Sequence, residues 1–423
     1  MTPDVSTPVV IFRSESYCAL GIVRSLGRMG VKVYGIDSDP DAYGLKSRYC
    51  AGRFSFDFDR AEASEAYEFL CRVADQVGGR PVLIPTFDTR NLFLEKYAEQ
   101  LSERYVFARQ PPGVTSRLYS KRSMYHLCKE LGVPTAETLF PATREEVVQF
   151  LDKVQFPLVL KAIDGDRLQR RAGVSLVIAR DAKELLEAFD RIDEPGHPNL
   201  MLQEYIPGED DTIWMFNGYF NQASDCLFGI TGKKIRQHPI HTGMTSLGIC
   251  LPNEMVHANT LKIAKAVGYR GIIDIGHRYD RRDGGYKVLD INPRIGATFR
   301  LFVDRHGTDV IRALYLDLTG QSVPQAAPDW GRKWMVEDKD IVSCWHYRRE
   351  GTLRFLPWLR SYRGVKESAY FAWDDLRPSL SFVGSFLGKL VGGAWRSLAR
   401  TLGLLPPLKA AALPGRAIGP ERP

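Results

Sequence analysis

No G-x-x-x-x-G-K-[S/T] run occurs in the 423 residues, which excludes a Walker-type phosphate loop and leaves nucleotide binding, if any, to another architecture. The turn Arg13-Ser-Glu-Ser-Tyr-Cys-Ala-Leu-Gly21 holds one glycine where a dinucleotide fingerprint needs three, so an NAD site has no support there. That turn reads equally as a connector or as a helix start offering backbone N–H groups to an anion. The seven cysteines are odd in number, scattered, and never spaced C-x-x-C. This argues against a disulfide framework or a zinc site and fits a reducing cytoplasm. The N-terminus lacks a basic n-region ahead of an apolar stretch, so nothing there reads as a signal peptide and export is not expected. No internal repeat is visible, and no side-chain pattern reads as a nucleophile beside its base.

Acidic residues are scarce in one region only. Residues 351–423 carry 11 Lys/Arg and 4 Asp/Glu, and removing them from the chain totals of 57 and 50 leaves 46 of each in the first 350 residues. A neutral body without a basic, aromatic-interleaved stripe gives no reason to expect nucleic-acid binding. From 379 to 405, Val383, Phe386, Leu387, Leu390, Trp395 and Leu398 recur at helical spacing, with Lys389, Arg396 and Arg400 largely off that stripe. Charge interrupts this stretch too often for it to span a bilayer. Docking on the body or a partner, and lying on an anionic membrane surface, both remain open. The last residues, Pro406 to Pro423, are Pro/Ala/Gly-rich and are expected to be disordered.

Apolar runs at 8–12, 31–36 and 82–88, with helical spacing over 20–29 and 91–101, predict an open parallel α/β sheet in the first third. Helical pattern follows over 116–132. Runs near 156–161, 174–178, 201–206, 214–219, 226–231, 271–275 and 286–291, with a helix over 182–193, predict an α+β region of mainly antiparallel strands. The expected division is an α/β domain over 1–115 and a two-lobed α+β domain over 116–325, with a smaller lobe at about 135–205 and a larger one at about 206–325. A helical extension is expected over 326–423.

Asp290 and Asn292 stand two apart in one predicted strand, so both point to one face. A carboxylate beside an amide oxygen suits a hard cation that also binds phosphate oxygens. Thr86 and Asp88 end a strand of the parallel sheet, at the edge where such sheets bind ligands; Asp88 reads equally as a helix cap. Lys234 and Arg236 fall on one face of an extended run, and His238 and His241 lack helical metal spacing.

The order of Lys121 at a helix start, Val159-Leu-Lys-Ala162, Gln203-Glu-Tyr-Ile-Pro-Gly208 and Val288-Leu-Asp-Ile-Asn-Pro-Arg294 resembles the ATP-grasp superfamily, in its carboxylate–amine ligase branch, over roughly residues 5–320. The resemblance implies a pre-ATP-grasp domain followed by an ATP-grasp fold in which adenine lies between two α+β lobes. It implies that Lys121 and Lys161 contact phosphates, that Gln203 and the backbone of Glu204, Tyr205 and Ile206 meet the adenine, and that Asp211 takes the ribose hydroxyls. The loop 164–173, ending in Gly173 and carrying Arg167, Arg170 and Arg171, would be the phosphate cover. Arg236 would touch the acyl phosphate, and Arg294 the transferring phosphoryl group. Asp290 and Asn292 would hold Mg²⁺, with Mn²⁺ as an alternative. One departure stands out: relatives carry a further acid where this chain has Gly276, and Asp274, two residues earlier on the same strand face, is the substitute ligand. The function implied is ATP-dependent activation of a small-molecule carboxylate and its transfer to an amine. An ATP-binding but non-catalytic or membrane-peripheral protein, and a phosphotransferase with a hydroxyl acceptor, are the rivals; neither substrate is named by the sequence.

Overall fold

The computed structural model describes residues 2–152, 154–163, 176–194 and 196–401, with side chains described through residue 388. The chain divides into two compact units. Unit 1 comprises 1–119, 210–277 and 290–389, and unit 2 comprises 120–209, 278–289 and the residues from 390 onward.

In unit 1, β1 (Val9–Phe12), β2 (Val33–Ile36), β3 (Cys50–Phe54) and β4 (Val82–Pro85) form a parallel sheet in the order β3-β2-β1-β4. All four residues of β1 are buried, as expected for a central strand covered on both faces. The helix Tyr17–Gly27 starts where Ser16 accepts a hydrogen bond from the Ala19 N–H. The predicted single helix over 91–101 is two, Asp88–Lys96 and Ala98–Ser102.

Unit 2 contains the antiparallel sheet of β5 (Thr138–Leu139), β6 (Leu158–Ala162), β7 (Leu176–Ala179) and β8 (Leu200–Glu204), ordered β5-β8-β6-β7. The helix Ala182–Ile192 packs Leu185, Ala188, Phe189 and Ile192 into the same core as Leu158, Leu160 and Leu202. The phosphate-cover loop expected at 164–173, with Gly173 and its three arginines, lies outside the described residues.

A seven-stranded sheet follows, built from β9 (Ile213–Phe220), β10 (Cys226–His238), β11 (Met244–Cys250), β12 (Gly271–Asp280), β13 (Gly285–Asn292), β14 (Lys333–Met335) and β15 (Val365–Ser368), in the order β13-β12-β9-β10-β11-β14-β15. The far half of the β12–β13 hairpin, 278–289, belongs to unit 2. The helical extension also supplies two short strands, β14 and β15, which enlarge this sheet, with Met335 paired to Leu247 and Trp334 buried. Strands of three and four residues are too short to announce themselves by periodicity. Buried pairs tie the extension down: Arg24 to Asp375, Arg236 to Asp340, and Arg300 to Glu367. One core spans β1, the helix Val310–Leu318, Phe299 and Trp334.

Candidate nucleotide and metal sites

In unit 2, β6 and β8 pair so that Lys161 and Gln203 present their side chains to one another. Lys161 Nζ donates to Gln203 Oε1 at 2.9 Å, and Gln203 Nε2 donates to Thr138 Oγ1 at 3.1 Å. The buried amide thereby fixes where the ammonium sits. Lys121 opens the helix Lys121–Glu130, whose N-cap Ser120 accepts from the Ser123 N–H.

Glu204 stands at the end of β8, and its backbone N–H donates to the Glu137 carbonyl. Its carboxylate accepts from Arg282 at 2.5 Å and lies 3.3 Å from Lys287 Nζ. Lys287 and Arg282 both also bond Asp280, at 2.6 and 2.5 Å. Hydrogen bonding from Arg282 and Lys287 holds the buried Asp280 carboxyl well below its usual range. Tyr205 lies under the Arg278 guanidinium at 5.7 Å, and Ile206 is buried. Sequence reading missed the Asp280, Arg282 and Lys287 network; its visible signal was the run of charges at a hairpin tip.

In unit 1, β12 and β13 are neighbours and carry the candidate metal ligands. Asn292 Nδ2 approaches Asp274 Oδ2 at 3.4 Å, so Asp274 shares the side of Asn292. Asp274 Oδ1 and both amide atoms of Asn217, on β9, are buried without a well-formed hydrogen bond. Burial lifts the Asp274 carboxyl to about 6, against the pull of Arg294, with Asp290 adding to the rise. A buried carboxylate oxygen with no partner beside an amide oxygen and a second acid is the donor chemistry a hard divalent cation accepts. Among the described residues no group of three or more His, Cys, Asp or Glu could by itself hold a metal. Asn217 is the ligand-class residue the sequence reading passed over, and an amide inside the apolar strand Ile213–Phe220 was its signal.

Two glycines shape this half. A Cβ at Gly296 would lie 2.5 Å from Asp274 Cγ, so only glycine lets the backbone lie against that carboxylate. A Cβ at Gly276 would meet nothing within 4 Å. The missing acid there leaves open space, and Asp274 is the carboxylate that reaches Asn292.

Arg294 Nε donates to Asp88 Oδ1 at 2.8 Å, and Nη2 donates to Asn292 Oδ1 at 3.2 Å. Asp88 opens the helix Asp88–Lys96 without capping it, since the N-cap position is Phe87. Thr86 Oγ1 donates to the carbonyls of Phe12 and Arg13, closing the β1–β4 edge. Arg13 holds φ +85 at that edge, a strained backbone for a non-glycine residue, with its guanidinium 4.3 Å over the Phe87 ring. Cys18 Sγ lies 3.7 Å from the Gly296 carbonyl, and burial pushes its thiol up to about 12, so it supplies no thiolate.

Arg236 is placed differently from expectation. It is buried, and its Nε and Nη2 each donate to Asp340 at 2.8 Å while Nη1 donates to Ser361. The physical reason is a bulge in β10. Lys234 pairs with Gly248 but Arg236 with Leu247, so one extra residue flips Arg236 to the opposite face from Lys234. Lys234 Nζ donates to Gln237 Oε1 and the Gly243 carbonyl, and its charge acts on Asp274. His241 lies 2.9 Å from Glu350 and 3.5 Å from Asp210, and His238 contacts Ser343, so both histidines secure the β10–β11 turn. Asp211, in the turn Asp210–Thr212, is half-exposed and 3.4 Å from Lys233 Nζ.

No family model matches the sequence. It is 25% identical over 304 residues to a D-aspartate ligase of Enterococcus faecium, covering 68% of this chain and 70% of that protein. It is 22% identical over 256 residues to the C-terminal section of the carbamoyl phosphate synthase large chain of Methanopyrus kandleri, covering 58% of this chain but only 45% of that relative. The fold matches the biotin carboxylase of Campylobacter jejuni, solved as a β-γ-ATP complex, at a TM-score of 0.61 and 17% identity over 77% of this chain and 74% of that one.

Proposed function

We propose that the chain is an ATP-grasp protein of the carboxylate–amine ligase branch, which uses ATP to activate a small carboxylate as an acyl phosphate and passes the acyl group to an amine. The observation that carries this reading is the convergence of Asp274 and Asn292 on one patch of β12 and β13, where Asp290 shares the strand face of Asn292 and an Asp274 oxygen lacks a partner. That is a donor set for Mg²⁺ bound together with phosphate.

In the proposed assignment, Lys121 and Lys161 neutralise phosphate charge as compact cations, with Gln203 aiming Lys161. The backbone of Glu204, Tyr205 and Ile206 offers fixed groups to the adenine edge, and the ion pairs around Glu204 hold that strand end in place. Asp211 takes the ribose hydroxyls. Mg²⁺, or Mn²⁺, held by Asp274, Asp290 and Asn292, supplies charge neutralisation at the β- and γ-phosphates when bound. Arg294, steadied by Asp88 and Asn292, and Lys234, in place of Arg236, face the phosphoryl group and the carboxylate.

The chemistry needs no protein nucleophile. A carboxylate oxygen attacks the γ-phosphorus and ADP departs; the amine nitrogen then attacks the acyl carbon, phosphate departs, and the amine gives up a proton. The seven free thiols suit a reducing, cytoplasmic setting.

The test is ADP release with ATP and Mg²⁺ across paired panels of carboxylates and amines, amino acids first and D-aspartate among them, against Asp290→Ala. Release that requires one carboxylate and one amine and vanishes in the variant is expected. Release driven by a hydroxyl compound alone would make the protein a phosphotransferase, and ATP binding without turnover across the panel would favour a non-catalytic role.

A further inference from the structure

The C-terminal extension turns large apolar side chains outward. On the helix Glu337–Arg349, Ile341 and Trp345 lie one turn apart and are each about half exposed. The following helix, Phe355–Ser361, buries none of its residues and exposes Phe355, Leu356 and Leu359. Arginines join these positions. The Arg348 guanidinium lies 5.5 Å over Phe355, and that of Arg349 lies 4.6 Å over Trp345.

The surface continues beyond these helices. Phe371 N–H donates to Glu337, one turn before Ile341, and its ring packs edge-on against Trp373, which is 82% exposed. The helix Leu376–Thr401 then presents Leu376, Leu380, Val383 and Leu387 outward, while Phe382 stacks inward on Tyr370. Most of the exposed set is carried on helices, with Phe371 and Trp373 in the turn that precedes Leu376.

Its charge is one-sided. From Trp345 to Lys366 the only acid is Glu350, which is engaged by His241. Glu367 and Asp375 are drawn inward to Arg300 and Arg24, and the exposed Asp374 is paired with Arg28. The helix Leu376–Thr401 contains no Asp or Glu at all. Asp340, Glu350, Glu367, Asp374 and Asp375 of the extension are thus each paired with a basic side chain, and Arg348 and Arg349 lie against exposed aromatics. Aromatic rings beside arginines, on an exposed apolar face with an excess of positive charge, match the headgroup layer of an anionic bilayer. Among the described residues no helix is long and apolar enough to cross a membrane.

We propose that this face, from Ile341 and Trp345 through Leu356 and Trp373 to Leu387, rests on an anionic lipid surface. It uses none of the residues assigned to ATP or metal, so its test is independent of the ligase reading.

The full chain is mixed with vesicles of phosphatidylcholine alone or with added phosphatidylglycerol, and floated. Binding is expected only with phosphatidylglycerol and is expected to weaken with salt. Trp345→Ser with Leu356→Ser, and separately Arg348→Glu with Arg349→Glu, should each weaken partitioning at least tenfold while leaving the melting temperature and ATP binding near wild type. No binding to phosphatidylglycerol vesicles overturns the proposal. So does binding that survives both variants and disappears on truncation after residue 388, which would assign lipid contact to the terminal segment alone. Self-association lost in the same variants, without vesicle binding, would assign the face to a protein interface and likewise refute it.

Discussion

Arg236 is assigned a structural role, and the assignment has a quantitative consequence. Its side chain and that of Asp340 are 5% and 0% exposed, and they share two 2.8 Å hydrogen bonds. Asp340 also accepts from Tyr362 at 2.6 Å and Ser246 at 3.1 Å. Asp340→Ala strands a buried guanidinium and two hydroxyls, which costs about 3–5 kcal/mol. For a unit of this size that lowers the melting temperature by roughly 5–15 °C. Replacing both charges, Arg236→Met with Asp340→Leu, removes the uncompensated ion and should recover most of the loss, leaving about 1–2 kcal/mol from the two hydroxyls. Thermal unfolding of wild type, Arg236→Met, Asp340→Leu and the double variant closes the cycle. Turnover of the double variant, measured in parallel, should stay within about threefold of wild type, since a residue facing away from the reacting groups contributes no transition-state binding. If stability returns while turnover falls a hundredfold or more, Arg236 touches the acyl phosphate after all and the bulge argument fails.

Four further outcomes are expected. Lys161→Met should weaken MgATP binding at least tenfold by calorimetry, whereas Gln203→Ala, which only loses the aim, should cost less. Gly296→Ala pushes a Cβ into the Asp274 carboxylate and should raise the Mg²⁺ requirement at least tenfold, while Gly276→Ala, facing open space, should change nothing. Hydrogen bonding to Asp210, then to Glu350, raises His241 to about 9. Since that lies above the unfolded value of about 6.5, its stabilisation is complete below pH ~6.5 and lost as pH rises through about 9. Wild type should therefore exceed His241→Gln by about 1–3 kcal/mol at pH ~6 and by little at pH ~10 in urea titrations. Asp274 titrates near 6 without metal, so Mg²⁺-dependent ATP affinity should drop below that pH, and Asp274→Asn should flatten the dependence.

Strands were legible where burial on both faces made an unbroken apolar run, as in Val9–Phe12, and where alternate positions were buried beneath a short apolar stretch, as in Leu158–Ala162. Cys50–Phe54 escaped because no position of that edge strand is fully buried, and its Cys-Ala-Gly-Arg-Phe sequence shows no apolar run. The ligand pair Asp290 and Asn292 was readable from a period of two, which holds on a regular strand. The same rule misplaced Arg236, because a bulge inserts a residue that no periodicity in β10 announces. The partners of Glu204 were hidden for another reason: Arg282 lies 78 positions away, and only folding of the hairpin brings the two together. Asp88 could be read as a helix cap or a ligand contact, and its bond to Arg294, 206 positions on, selects neither until the fold exists.

The central claim is that the carboxylate itself attacks ATP. Once a productive carboxylate is found, it can be supplied with ¹⁸O in both carboxyl oxygens, and the phosphate released examined by mass spectrometry. Transfer of one labelled oxygen into phosphate, in step with ADP and dependent on Asp290, is the predicted result; unlabelled phosphate at the same turnover would contradict the acyl-phosphate mechanism.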